Sequence, residues 1–277
     1  SNPGKPRTVE QFMRSFKRKS GISALIAWNG GYILNPELVG KLGLAETYIG
    51  SPLGLLITDG IISSAPLFNK PALLIYKDGS IGIQRVNCRR GLIVSWKGHH
   101  LRFDPSAHNP VGNERKPAYY DLMHPDDSFG GMGRTIIRLS GNVIKEIRKT
   151  DEKESVRIVP VGLTLALDPK DVPDGLAPGA QLELMIPGLE EVKHAVEAGP
   201  LLLDHGKCVI DMEEEGWNRT NSIRTQAARL DYTDMRGPKI AVGINQRNEL
   251  AVLTINGRIR ESVGATHLDM ARILEDL

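Results

Sequence analysis

Apolar residues in this chain fall into short runs cut apart by Gly, Pro, Asn and Asp, and the spacing within the runs switches between helical and alternating. Val9, Phe12, Met13 and Phe16 recur at helical spacing and predict a helix over Val9–Lys19, with Thr8 as N-cap and Gly21 as its stop. The uncharged run Ile22–Trp28 reads as a buried strand that ends in Asn29-Gly30-Gly31-Tyr32. Leu53–Thr58, Leu73–Tyr76 and Ile81–Val86 read as strands, with Asp59-Gly60 and Asp78-Gly79 as hairpin turns. Leu92–Trp96 and Leu101–Phe103 continue the pattern around Gly98, and Thr135–Leu139 and Val143–Ile147 flank Ser140-Gly141-Asn142. Residues 104–133 form a polar excursion whose only apolar island is Tyr119–Met123; a connection that long is usually functional or mobile.

Val161–Leu167 and Leu182–Ile186 read as further strands, and residues 189–197 as a short helix. Leu201–Leu203 and Cys208–Ile210 flank His205-Gly206-Lys207, and a polar loop of about twenty-five residues follows. Ile240–Ile244 and Leu250–Ile255 are strands. Thr266–Leu277 is an amphipathic helix with Leu268, Ala271, Ile273 and Leu274 inward, Thr266 as cap and Asp269 completing a capping box. Strands outnumber helices and hairpins outnumber βαβ units. The class is α+β, with a mixed, largely antiparallel sheet, flanking helices and many hairpins.

Composition narrows the function. At 277 residues, 40% hydrophobic and 25% charged, the chain matches an ordinary globular protein. A net charge of +2 argues against a nucleic-acid partner, and the cluster Arg14-Ser15-Phe16-Lys17-Arg18-Lys19 reads as the solvated face of the first helix. No apolar run is long enough to span a membrane. No signal peptide is present, and Ser1-Asn2-Pro3-Gly4 looks like a cut start. Cys88 and Cys208 are expected as two buried free thiols, with one disulfide as the alternative. Asn218-Arg219-Thr220 fits a glycosylation acceptor, a triplet that arises often by chance.

The candidate chemistry lies at strand ends. Gly30 and Gly31 let a ligand approach bare backbone, and the Asn29 amide both donates and accepts. Asn256-Gly257-Arg258 after one strand presents a guanidinium fork suited to phosphate, and Pro238-Lys239 adds a second cation. Gly199-Pro200 is another tight backbone point. Asp59, Asp78 and Asp204 sit beside turns and read as turn formers. His99, His100, His108 and His124 lie near Asp104, Asp126 and Asp127, but their spacings match no metal motif. No cofactor is called for. A divalent metal would suit phosphate chemistry, yet no cluster specifies one. No nucleophile elbow, Walker loop or dinucleotide fingerprint occurs, and Gly130-Gly131-Met132-Gly133-Arg134 does not join a strand to a helix.

Taken in order, these landmarks resemble the phosphodiester glycosidase family. They are Ala27-Trp28-Asn29-Gly30-Gly31-Tyr32, Gly54, Pro71-Ala72-Leu73 with Asp78-Gly79, Ala198-Gly199-Pro200-Leu201-Leu202 with Gly206-Lys207, Pro238-Lys239-Ile240-Ala241-Val242-Gly243, and Asn256-Gly257-Arg258 before the last helix. The resemblance spans residues 22–277. It implies one domain over residues 1–277 that ends before the family's C-terminal Asp-Gly-Gly element. This chain has Lys239-Ile240 where the family usually has Arg-Thr, and Asn256 where it usually has Asp.

The resemblance further implies hydrolysis of a sugar 1-phosphodiester in a glycoconjugate or cell-envelope polysaccharide, by a secreted or extracytoplasmic protein. The catalytic set would be Arg258, Lys239 and Asn256, although Asn256 is too poor a base to replace a carboxylate. Asn29, Gly30, Gly31, Tyr32, Gly199, Pro200, Gly243 and Gly257 would bind the phosphorylated saccharide. The alternatives are a non-catalytic carbohydrate-binding protein on the same scaffold, and a structural module whose turns only close hairpins.

Overall fold

The computed structural model describes residues 7–112, 115–217 and 235–276. Helix α1 (Val9–Ser20) begins with the expected cap: the Gln11 amide donates to the Thr8 hydroxyl, and the Gln11 side chain accepts from the Thr8 amide. Gly21, at φ 75°, ends it. None of its residues is buried, so its apolar stripe is not part of the core.

The Ile22–Trp28 strand does not form. Leu25 is fully exposed, Ile22 and Ile26 are more than half exposed, and the segment is irregular. Strands persist only within a ladder, and among the described residues none pairs with this run. Order resumes at β1 (Tyr32–Ile33), which pairs with β2 (Pro52–Leu53) around the Asn35-capped helix α2 (Pro36–Lys41). The predicted strand Leu53–Thr58 is thus split at Gly54, whose φ is 85°.

β3 (Leu56–Thr58) and β4 (Ile61–Ser64) close through Asp59-Gly60, both at positive φ, the geometry of a type I′ turn. β5 (Pro71–Tyr76) and β6 (Ile81–Arg85) close through Asp78-Gly79, where Asp78 accepts from the Ser80 amide and hydroxyl. Next come β7 (Leu92–Trp96), β8 (His99–Phe103), β9 (Ala118–Tyr120), β10 (Ser128–Gly130), β11 (Thr135–Ser140), β12 (Val143–Lys149), β13 (Ser155–Arg157), β14 (Leu163–Leu167), β15 (Glu183–Met185) and β16 (Val192–Glu197). Three sheets carry the core: β4-β3-β16-β5-β6, β15-β7-β8 and β12-β11-β14-β9; β10 pairs with β13. Among the described residues every ladder between these strands is antiparallel. Leu74, Ile137 and Leu165 are fully buried where the sheets face one another, each contributing about 1.5–3 kcal/mol.

Two further expectations are corrected. Residues 189–197 hold no helix; β16 is the middle strand of the five-stranded sheet, pairing with β3 and β5. A bulge between Val192 and His194 breaks its alternation, which is what hid the strand pattern. Residues 104–133 are not a solvent excursion either. β9 joins the four-stranded sheet, Tyr119 and Tyr120 are buried, and the Tyr119 hydroxyl donates to the Cys88 carbonyl. Cys88 is buried but Cys208 is exposed, and both thiols are free.

A smaller unit follows. β17 (Leu203–Asp204) pairs with β18 (Lys207–Cys208), and β19 (Lys239–Ile244) with β20 (Leu250–Ile255). Helix α3 (His267–Glu275) has the expected Thr266–Asp269 capping box and buries Met270 and Ala271. Leu268 and Ile273 face solvent, contrary to the predicted inner face, because the helix is shallowly seated on this unit. Leu202, Leu253 and Leu274 pack around Ala241, Ala265 and Met270, and β19 lies against β6. Most of the polar loop after Ile210, including Asn218-Arg219-Thr220, lies outside the described residues.

Candidate functional site

The end of β16 gathers the first group of landmark residues. A Cβ at Gly31 would stand 3.0 Å from Val196, and one at Gly30 would stand 3.7 Å from it, so the turn lies directly on this strand. Asn29 is exposed at its tip. On the same side a Cβ at Gly54 would strike the Glu197 carboxylate at 2.5 Å. Gly199, at φ 137° before a cis bond to Pro200, leaves room for Glu215, Pro71 and Trp217, each within 3.2 Å of where its Cβ would be.

Between these backbone points lie charges that the sequence reading missed. Glu197 and Glu215 are 3% and 0% exposed. Glu197 Oε2 accepts from the Leu55 amide at 2.8 Å and the Leu67 amide at 3.0 Å. Glu215 Oε1 accepts from the Leu201 amide at 2.8 Å and from Arg85 at 3.2 Å, while its Oε2 accepts from the Trp217 indole at 2.8 Å. Lys70, 2% exposed, holds its ammonium 3.7 Å from the centroid of the Trp217 ring. Asn69 donates to Glu214 and accepts from Asn87 beside them.

Burial dominates the electrostatics. It pushes the Glu197 carboxyl well above the ordinary range, against the pull of Lys70 and the two amides. It lowers Lys70 against the pull of both glutamates. Glu215 is also raised, by burial first, with its amide, indole and Arg85 bonds opposing. Tyr32 is 37% exposed, and its hydroxyl is raised by burial and then by the charges of Glu197 and Glu215. The glutamates escaped notice because Glu197 sits in a strand that looked helical and Glu215 in an acidic run that looked solvated. The usable signal was position: Glu197 immediately precedes Ala198-Gly199-Pro200.

The second group sits on the β19–β20 unit. A Cβ at Gly257 would meet the Gly237–Pro238 backbone at 2.5 Å, so the strand end is clamped there. Arg258 stands at φ 56°, unusual for a non-glycine residue, and lays its guanidinium over Gly237. Lys239 is lowered by partial burial and then by the charge of Arg258. The Asn256 carbonyl accepts from Ser262. Gly243 pairs with Ala251 in open space, where no close approach demands a glycine. The groups are linked through the chain: Leu202, two residues after Pro200, packs in the second unit, and β19 lies against β6, whose Arg85 bonds Glu215.

The histidines scatter. His108 bonds Asp121, His100 bonds Ser95 and His124 bonds the Asp126 backbone. Among the described residues no three His, Cys, Asp or Glu side chains gather as a metal site, and no helix is long and apolar enough to cross a membrane. Arg134 is buried and spends its donors on the Gly130, Gly131 and Lys116 carbonyls and the Tyr120 hydroxyl, a structural role.

A family model for phosphodiester glycosidases matches residues 127–277, more than half of the chain. The chain belongs to the phosphodiester glycosidase family. That match contains Glu197, Gly199, Pro200, Glu215, Lys239 and Arg258, while Asn29–Tyr32 and Lys70 lie ahead of it. Among solved structures, a hypothetical protein from Synechocystis is 18% identical, with a TM-score of 0.49, over 95% of this chain and 45% of that one. A protein from Burkholderia pseudomallei named as a putative exported protein is 18% identical, with a TM-score of 0.45, over 89% of this chain and 56% of that one. The chain thus spans about half the length of these structures. No curated protein matches.

Proposed function

We propose that this phosphodiester glycosidase family member hydrolyses a sugar 1-phosphodiester, breaking the glycosidic C–O bond to release the sugar and leave a phosphomonoester. The observation that carries the reading is the Lys239–Arg258 pair. Partial burial and then the charge of Arg258 lower Lys239, and among the described residues neither cation has a carboxylate partner. A bound phosphate would relieve that repulsion. Phosphate is already a competent leaving group, so the barrier falls chiefly through charge stabilisation on the departing oxygens, the task of Arg258 and Lys239. The sugar centre, oxocarbenium-like in the transition state, needs a carboxylate nearby. Asn256 cannot serve; Glu215 is the candidate, held by Leu201, Arg85 and Trp217 beneath Gly199. Asn29 and the Gly30–Gly31 backbone would hold hydroxyl groups, with Tyr32, Gly199, Pro200 and Gly257 shaping the walls and Gly243 set back from them.

The substrate class we infer is a phosphorylated glycoconjugate or envelope polysaccharide, and the site of action extracytoplasmic. The test is sugar release from a methyl phosphodiester of N-acetylglucosamine in ¹⁸O water. Label in the sugar, lost in Arg258→Ala and Glu215→Gln, supports the proposal. Label in the phosphate refutes C–O cleavage, and binding without release favours the carbohydrate-binding alternative that Asn256 suggests.

A further inference from the structure

Building on the proposed saccharide site, we infer that Lys70, with Arg85 beside it, forms the sugar subsite and donates to a saccharide hydroxyl, while the phosphate lies with Lys239 and Arg258. The Lys70 ammonium touches the rings of Phe68 and Trp217, but among the described residues it has no hydrogen-bond or ion-pair acceptor. An ammonium carries three donors, and among the described residues no side chain or carbonyl around Lys70 accepts them. Arg85 holds another unused donor. Its Nε is buried without a partner, although its Nη2 reaches Glu215. The two residues meet at Glu215, which Arg85 bonds and whose charge acts on Lys70.

Charge decides the ligand. Lys70 and Arg85 face Glu197 and Glu215, so the nest is neutral overall, and it stays neutral if a proton passes from Lys70 to Glu197. An anion here would be pressed against two carboxylates in a poorly solvated setting. A hydroxyl group can accept from Lys70 or Arg85 and donate to a carboxylate, and a sugar offers several. The Lys239–Arg258 pair has the opposite character, with surplus positive charge. The division therefore runs through the substrate's own polarity: neutral polyol at Lys70, phosphate at Arg258.

Trp217 lies under the ammonium and reports on it. The intact chain is titrated with N-acetylglucosamine and, separately, with inorganic phosphate. Tryptophan emission and calorimetry are followed, and Trp217→Phe assigns the optical signal. The sugar is expected to shift Trp217 emission with a midpoint indifferent to salt. Phosphate is expected to bind without that shift, without displacing the sugar, and more weakly as salt rises. Lys70→Met should weaken sugar binding about tenfold or more while phosphate affinity is kept. Sugar binding unchanged in a folded Lys70→Met variant overturns the inference. Should that variant not fold, competition in the unaltered chain decides: phosphate that displaces the sugar and reproduces the Trp217 shift overturns it. No sugar binding alongside intact hydrolysis removes this subsite and leaves the activity. Sugar binding at Lys70 without hydrolysis keeps the subsite and removes the activity.

Discussion

Replacing Glu197 with Met keeps the length of the side chain and removes both oxygens. The Leu55 and Leu67 amides, now received at 2.8 and 3.0 Å by one carboxylate oxygen, would be left buried without acceptors. Each orphaned amide costs about 1–3 kcal/mol. Lys70 would also lose a neighbouring counter-charge, although the two form no direct ion pair. These penalties share a cause and do not add fully, so the expected loss is about 3–5 kcal/mol, a large fraction of a typical domain's stability. Glu197→Gln should cost less, about 1–2 kcal/mol, because one amide oxygen in the Oε2 position still accepts from both donors.

Urea unfolding followed by far-ultraviolet circular dichroism would measure both variants, and Lys70→Met/Glu197→Met should fall short of the summed single losses by about 1–3 kcal/mol. The pH response gives an independent check. Burial raises the folded Glu197 carboxyl, so its contribution is fully present below the unfolded value of about 4.3 and is lost as pH rises through the folded one. Glu197→Gln should abolish that share. A Met variant within 1 kcal/mol of the parent, or a Gln variant as damaged as Met, would refute the hydrogen-bond account; a purely steric role predicts the second result.

Gly162→Ala should be severely destabilising, since its Cβ would lie 2.0 Å from the Leu139 carbonyl oxygen at φ 68°; loss of soluble folded protein or a collapsed thermal midpoint would show it. Asp121 is pushed up by burial but pulled further down by His108, Asn109 and the Met123 amide, so its stabilisation is present above about pH 4 and vanishes as pH falls through the lowered value. Asp121→Asn should flatten that acid limb in unfolding measurements between about pH 2 and 5. Thr266→Ala should cost about 1 kcal/mol by removing half of the α3 capping box, and hydrogen exchange should show the loss confined to that helix.

Local chemistry was the part of this fold most open to reading in advance. Thr8 and Gly21 bound α1, Asp59-Gly60 and Asp78-Gly79 close hairpins, and Thr266 with Asp269 starts α3, because each is decided by a few adjacent residues. What failed depends on distant partners. Ile22–Trp28 has the composition of a strand but no ladder to join, and β16 has a ladder on both sides but a bulge in its pattern. The candidate site divided in the same way. A Cβ at Gly31, Gly199 or Gly257 would crowd a neighbour at 3.2 Å or less, whereas Gly30 meets only ordinary contact at 3.7 Å. Glu215 lies in an acidic run that looks solvated, and Lys70 and Glu197 are lone charges in apolar stretches whose enclosure is set by distant strands.

The order of the central sheet sets when this protein can become itself. β3 through β6 leave the ribosome early, yet the strand that sits between β3 and β5 arrives more than a hundred residues later. Until it does, two early hairpins wait with bare edges, and nothing can receive the Leu55 and Leu67 amides. Glu197 arrives on that strand, so closing the sheet and capping those two amides are a single step in the life of the nascent chain.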